Sequence, residues 1–192
     1  DWRGEVIGVN DVHNIKPKET LIDLAPNKML GYNNLKNANP AVDPWLPRPG
    51  QEVVLPYAAI LPLDAEPGIT INLAELRLFY IWREKDRYRA RAYPVRIGTE
   101  ETETPVGHYR VMNKTENPTW TVPLSILAQR PGFPAMVPPV TANPLGKFWM
   151  QFSPEGYGLH GTNKPMGVGR RVSHGCIRLY PQGIRDLFAR TA

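Results

Sequence analysis

Cysteine is almost absent from this 192-residue chain, which contains only Cys176. One cysteine cannot form an internal disulfide, so a disulfide scaffold is excluded. The commonest zinc motifs, Cys-x-x-Cys and His-Glu-x-x-His, are also lacking. No apolar run reaches the length of about 18 residues that a membrane-spanning helix needs. The basic residues are scattered rather than grouped, which argues against a nucleic-acid-binding arm.

Proline and glycine are abundant, at 21 and 16 residues, and favour a β-rich, loop-rich protein over a helical bundle. Hydrophobic residues make up 42% of the chain, enough for a real core. The net charge of +5 and a pI near 9.4 favour an anionic partner, such as the bacterial cell wall. A solvated basic surface without a partner explains the same charge.

The residues from His160 to Leu179 hold the only cysteine and two of the four histidines. Cys176 follows Ser-His-Gly and precedes Ile-Arg, so cationic or proton-accepting groups that stabilise a thiolate surround it. This setting predicts a nucleophilic cysteine. Two alternatives stay open on residue types alone. Cys176 could be a small buried side chain, or it could bind zinc together with His160 and His174.

The order His-Gly-x, a glycine-rich gap, and then Ser-His-Gly-Cys-Ile-Arg-Leu resembles the YkuD-type L,D-transpeptidases. The resemblance implies a β-sandwich-like catalytic domain over residues 66–192 that acts on peptidoglycan tetrapeptide stems. Cys176 would be the nucleophile, forming a thioester as the terminal D-alanine leaves. His160 would be the base, oriented by a neighbouring backbone carbonyl. No cofactor and no metal are implied.

The other residues of the motif would form the oxyanion and substrate region: Gly161, Ser173, His174, Gly175 and Arg178. The backbone N–H groups that precede and include the nucleophile, those of Gly175 and Cys176, are candidates for the oxyanion hole. His174 would line the path of the acyl donor. Arg178 would hold a substrate carboxylate through its fork of donors, with a structural ion pair as the alternative.

Residues 1–57 are predicted to form a small α+β unit. Val6–Val9 is its first strand candidate, and Thr20 can cap a first helix. A second helix is expected to end at Asn39–Pro40, because proline disfavours helix in the residue before it. Val53–Leu55 is a second strand.

This order of strand, helix, helix and strand resembles a LysM peptidoglycan-binding module. Lys16–Leu21 stands where such modules carry Gly-Asp-Thr-Leu, and its departure from that pattern affects glycan affinity. Binding of glycan and structural capping of the second domain are both open. Residues 57–68 are expected to be a linker lying against the protein surface, and the 66–192 fragment is expected to fold alone.

The second domain is predicted to be mainly β. Three strands at 69–73, 77–82 and 88–97 alternate or run with apolar residues and suggest an antiparallel meander. Further strands are expected at 108–112 and 148–152, and a closing helix at 181–190. Residues 113–146 are expected to form a flap over the cleft, with Trp120 and Phe133 either lining it or packing beneath a long loop.

The family resemblance leaves the acyl acceptor open between a stem diaminopimelate, a lysine of an outer-membrane protein, and water. Stem peptides and glycan are the expected partners, nucleic acid is not, and the expected location is the periplasm. The alternative class is a peptidoglycan-binding protein with a non-catalytic or hydrolytic site. The His160–Cys176 spacing argues against that alternative.

Overall fold

The computed structural model describes residues 2–153 and 156–191, so the outermost residues of the two expected units, 1 and 192, lie outside it. The N-terminal third forms β1 (Val6–Ile7), β2 (Asp11–Asn14), α1 (Leu21–Asn27), α2 (Tyr32–Ala38), β3 (Glu52–Leu55) and β4 (Ala59–Ile60). The middle third forms β5 (Gly68–Asn72), β6 (Arg77–Glu84), β7 (Arg87–Pro94), β8 (Ile97–Gly98), β9 (Asn113–Glu116), β10 (Trp120–Thr121) and α3 (Leu124–Gln129). The rest forms β11 (Met136–Val137), β12 (Phe148–Gln151), β13 (Gly158–His160), a 3₁₀ turn (Pro165–Gly167), β14 (Arg171–Ser173), β15 (Ile177–Arg178) and α4 (Pro181–Arg190). The protein is mainly β, as predicted.

The N-terminal unit packs α1 and α2 against the antiparallel pair β2–β3. The predicted cap is confirmed, because Thr20 Oγ1 accepts a hydrogen bond of 3.1 Å from the Asp23 N–H. The first strand candidate, Val6–Val9, is confirmed over Val6–Ile7, but it lies outside the strand pair that the helices cover. Val6–Ile7 pairs with β4 instead, and the strand that precedes the helices is β2.

The predicted antiparallel meander is confirmed as β5–β6–β7. One face of this sheet carries Leu78 and Tyr93 into the main core. The other face carries Phe79 and Ile81, which are almost fully buried under the segment 59–65 and the partly buried Trp2 and Ile7. The linker therefore lies against protein, as expected. The Arg77 guanidinium fastens it by donating to the carbonyls of Pro56 and Ala58, each at 3.1 Å.

The second sheet has the strand order β15–β13–β12–β9, in which only the β13–β15 pair is parallel. Helix α4 covers this sheet with the buried side chains of Ile184 and Leu187. The strand predicted at His108–Met112 is wrong, because this segment has no strand and its ladder begins at Asn113. Its residues are mostly exposed, although Val111 packs against the main core and the Met112 N–H donates to the Gln151 carbonyl.

The N-terminal unit docks on the glycine-rich gap of the motif. The N–H groups of Tyr32 and Asn33 donate to the carbonyls of Val168 and Gly169, both at 3.3 Å. The Arg170 guanidinium lies 3.9 Å from the centre of the Tyr32 ring. The Tyr180 hydroxyl donates to the Leu30 carbonyl at 2.8 Å in a buried setting.

The long segment 113–146 contains the antiparallel pair β10–β11 and α3, and we call it the flap. None of the residues of α3 is buried. The buried side chain of Asn143 holds the base of the flap by donating to the carbonyls of Pro118, Val137 and Pro138. In the described residues, no helix is both long and apolar enough to cross a membrane.

Candidate active site

The parallel pairing of β13 with β15 places the catalytic candidates on one face of the sheet. Leu159 lies opposite Ile177, and His160 lies opposite Arg178. Leu159 and Ile177 both point into the main core. Because side chains alternate along a strand, His160 and Arg178 face the other way.

His160 is 1% exposed, at the C-terminal end of β13. Its Nδ1 lies 2.7 Å from the Gly161 carbonyl oxygen. A carbonyl only accepts, so Nδ1 carries the hydrogen and Nε2 of the neutral ring is the proton acceptor. The Trp149 ring packs at 5.6 Å between centroids. Gly161 thus acts through its carbonyl, which gives the ring the tautomer that a general base requires.

Burial, assisted by the nearby cation of Arg178, lowers the pKa of His160 to about 3, although hydrogen bonds to the backbone of Gly161 and Leu145 act in the opposite direction. The imidazole is therefore neutral at physiological pH. A neutral imidazole can take a proton from a thiol, whereas an imidazolium cannot.

Cys176 follows the turn that connects β14 with β15, and its thiol is partly buried. Burial raises its pKa, while a backbone hydrogen bond from Gly158 and the charge of Arg178 act to lower it. The Sγ atom lies 4.0 Å from the Gly156 carbonyl oxygen. In the described part of the chain, no hydrogen bond joins this thiol to His160. The resting site therefore contains a neutral imidazole and a protonated thiol.

The turn before the nucleophile is held by two side-chain hydroxyls. Ser173 Oγ donates to the Cys176 carbonyl at 2.7 Å, and Thr104 Oγ1 donates to the Gly175 carbonyl at 2.8 Å. Gly175 has φ +97, and a Cβ there would lie 2.5 Å from Tyr157 Cε1, so only glycine fits. Ser173, expected in the oxyanion and substrate region, is buried and binds the backbone of the turn. Thr104 was not predicted to be a site residue.

The structure separates the two motif histidines. His174 is exposed and lines an open cleft, whereas His160 is enclosed. The cleft has a volume of about 330 Å³. Arg178 lies in the same cleft, as expected for a residue that contacts substrate.

Sequence reasoning missed Arg96, which also lines this cleft. The sequence did contain a signal for this position. Val95 and Ile97 on either side of Arg96 are core residues, so the alternation along the chain turns Arg96 outward. Trp120 and Phe133 of the flap line the cleft as well, as one of our two alternatives predicted, with ring centroids 6.2 Å apart.

Positive charge dominates the cleft. Its charged lining residues are Arg96, Arg130, Lys164 and Arg178. Among the residues that the structure describes, no aspartate or glutamate lines it. Over the same residues, no three His, Cys, Asp or Glu side chains form a group that could hold a metal ion. The site thus combines a thiol and a buried neutral imidazole with a neighbouring cationic cleft.

Comparison with known proteins identifies the family. A family model described as YkuD, the L,D-transpeptidase catalytic domain, matches residues 66–192. The chain belongs to this family of L,D-transpeptidases.

Two curated Escherichia coli relatives carry the names "Probable L,D-transpeptidase YcfS" and "Probable L,D-transpeptidase ErfK/SrfK". They are 37% and 38% identical to this chain over 96% and 92% of its length. The matches cover 60% and 56% of those relatives, so the chain spans less than two thirds of their length.

A solved structure titled "Structure of the Ldtfm-avibactam carbamoyl enzyme" aligns with a TM-score of 0.50 at 23% identity. The alignment covers 73% of this chain and 51% of that one. This likeness shows that the two chains share a fold.

Proposed function

We propose that this protein is a cysteine-dependent L,D-transpeptidase that acts on peptidoglycan tetrapeptide stems. The observation that carries the proposal is the pairing of His160 and Arg178 on one sheet face, next to Cys176, with the His160 Nδ1 bound to a backbone carbonyl. Family membership supports the same reaction class.

In the first step, Cys176 Sγ attacks the carbonyl carbon of the third stem residue. His160 Nε2 takes the thiol proton as the carbon–sulfur bond forms. Backbone N–H groups of Gly175 and Cys176 would stabilise the oxyanion. The bond to the terminal D-alanine then breaks, and the proton passes from His160 to the leaving amine. The product is a thioester on Cys176.

In the second step, an amine or water attacks the thioester carbonyl, the carbon–sulfur bond breaks, and the Cys176 thiol is restored. A stem diaminopimelate would give a cross-link, a lysine of an outer-membrane protein would give wall attachment, and water would give hydrolysis. With any of the three acceptors, the acyl donor is peptidoglycan, which lies outside the cytoplasm. We therefore propose that the protein works in the periplasm.

The direct test is incubation with a defined tetrapeptide stem, followed by intact-mass measurement and assay of free D-alanine. We expect one adduct on Cys176 with equimolar D-alanine, and no adduct on the Cys176→Ser variant. Adding candidate amines one at a time then names the acceptor. A folded wild-type protein that neither forms the adduct nor releases D-alanine would instead favour the binding-protein alternative.

The N-terminal unit is a candidate glycan-binding module. Trp45 and Leu46 are 65% and 81% exposed on a turn whose N–H groups bind the Asp43 carboxylate. An exposed, rigidly presented indole offers a flat face on which a sugar ring can stack.

Co-sedimentation of the Cys176→Ser protein with insoluble peptidoglycan tests this idea without covalent capture. Trp45→Ala should lower the bound fraction, whereas Leu63→Ser, at a residue that is 78% exposed on the linker, should not. Equal binding by both variants would leave the unit as a structural cap.

A further inference from the structure

Two arginines of the cleft are direct neighbours on adjacent backbone segments. The Arg96 N–H donates to the Arg178 carbonyl at 2.8 Å, and the Arg178 N–H donates to the Arg96 carbonyl at 2.9 Å. Residues on both sides of each arginine are core residues. The two guanidinium groups therefore emerge side by side on the cleft face.

Both arginines are only partly exposed, and no carboxylate compensates their charge among the described residues. Burial, and then the charge of Arg178, lowers the pKa of Arg96 to about 10. Burial also lowers the pKa of Arg178. The Nε atoms of both side chains are buried and have no hydrogen-bond partner in residues 2–153 and 156–191. Two like charges with unpaired donors are costly to hold together, unless an anion completes them.

The position of Arg96 is prepared by its surroundings. Its Nη2 donates to the Val172 carbonyl. Gly167 leaves the space that the side chain fills, since a Cβ there would come within 2.6 Å of Arg96 Nη1. The guanidinium is thus held in one orientation before a ligand arrives, which reduces the entropy lost on binding.

We propose that Arg96 and Arg178 form a carboxylate clamp that recognises the acyl-donor peptide beside Cys176. The proposal rests on the function proposed above. Two guanidinium forks can each give paired hydrogen bonds to a carboxylate, which a single lysine cannot do. The donor stem offers carboxylates on its terminal D-alanine and on its diaminopimelate. The clamp makes the free carboxylate a condition of efficient donor binding.

The test measures the affinity of soluble tetrapeptide stems for Cys176→Ser protein by calorimetry. One stem carries all its carboxylates, and the others have one carboxylate each replaced by a carboxamide. Each stem is measured with Arg96 intact, with Arg96→Gln and with Arg96→Lys. Arg171→Gln is the matched control, because Arg171 is an exposed arginine of the same segment whose guanidinium binds the Leu73 carbonyl away from the cleft.

With Arg96 intact, amidating the clamped carboxylate should weaken binding by about tenfold or more, because the clamp then loses its charged acceptor. In the Arg96→Gln protein, the same amidation should weaken binding by a clearly smaller factor, because only the Arg178 half of the clamp is then left to lose its charged acceptor. Arg96→Lys should fall between them, and Arg171→Gln should behave like the parent. The stem that shows this coupling identifies which carboxylate is bound.

The clamp is overturned if every amidated stem loses the same factor in the Arg96→Gln protein as it does with Arg96 intact, or if none loses affinity. Thioester formation by the Cys176 protein with the unmodified stem is measured alongside. A thioester without the coupling rejects the clamp alone. Absence of both a thioester and stem binding rejects the proposed function as well.

Discussion

The glycine-rich stretch of the motif divides into two segments that the structure uses differently. Residues 171–178, the catalytic segment, contain Cys176 and place His174 and Arg178 at the cleft. Residues 165–170, the docking segment, carry the carbonyls that accept from Tyr32 and Asn33 of the N-terminal unit. A motif that matches a family along its whole length therefore combines groups for chemistry with groups for packing, and only mutation separates the two.

The largest expected effect is on the rate of acylation, when the proposed general base is removed. His160→Ala should lower single-turnover acylation of Cys176 by about 10²–10⁴, because the thiol loses its proton acceptor. His174→Ala should have a smaller effect, since His174 is exposed and has no backbone partner that fixes its tautomer among the described contacts.

Folding of each variant is checked first, because His160 is buried and its removal leaves a cavity. His160→Gln, which fills more of that space, is the second variant. A deeper loss for His174→Ala than for both His160 variants would make His174 the base.

Two N-terminal truncations should separate the contribution of the docked N-terminal unit from that of the segment 59–65, which covers Phe79 and Ile81. We expect the 57–192 fragment to keep the segment 59–65 over Phe79 and Ile81, whereas the 66–192 fragment exposes both. Exposure of two large apolar side chains costs about 3–6 kcal/mol. Urea unfolding of the two fragments measures the difference. Equal stability would mean that the linker contributes nothing to the core.

Gly169→Ala should damage docking and leave the chemistry intact. Its φ is +82, and a Cβ there would lie 2.3 Å from the Tyr32 backbone nitrogen. Gly132 in the flap is the matched control, because its φ is +84 but nothing lies within 4 Å. Left-handed strain alone costs roughly 1–2 kcal/mol for alanine, and the clash adds about 1–3 kcal/mol.

The free energy of unfolding is measured for both glycine variants. The difference between the two losses in stability gives the cost of the clash at Gly169. Acylation of the folded fraction should stay near wild type in both. A Gly169→Ala protein that is stable but slow in acylation would show that the docking segment takes part in catalysis.

The last expected effect is a gradual one, a slope in the dependence of stability on pH. His160 has a pKa of about 3 when folded and about 6.5 when unfolded, so between these values the unfolded chain binds the extra proton. Stability from this group is complete above pH about 6.5 and is lost as pH falls towards 3, by at most about 1.4 kcal/mol per pH unit. Comparing urea unfolding of wild type and His160→Gln isolates the slope, because the carboxylates are common to both. Parallel curves would show that His160 titrates normally.

Elements with local signals could be predicted from the sequence. The bounds of α2 and α4 follow from proline and from apolar spacing, and Thr20 marks the start of α1. The strand β2 could not be predicted, because Asp11–Asn14 lacks apolar alternation. It is a strand only through its pairing with β3. Tertiary context decides such segments.

The candidate site also contains some residues that the sequence could predict and others that it could not. Cys176, His160 and Arg178 stand in one motif and could be named from the sequence. Arg96 and Thr104 lie about 70 residues or more before their partners, Arg178 and Gly175, and only the fold brings them together. Gly31 and Gly169 are also far apart in the sequence, and the fold brings them so close that no side chain fits between their backbones.

The parallel register of β13 and β15 also sets how this chain tolerates changes in length. Inserting one residue between Gly175 and Arg178 would exchange the two faces of β15, turning Ile177 towards solvent and a charged side chain into the core. The loop around Asn163 and Lys164 is exposed and carries no such pairing. Related sequences should therefore vary in length there, while the spacing from the nucleophile to Arg178 stays constant.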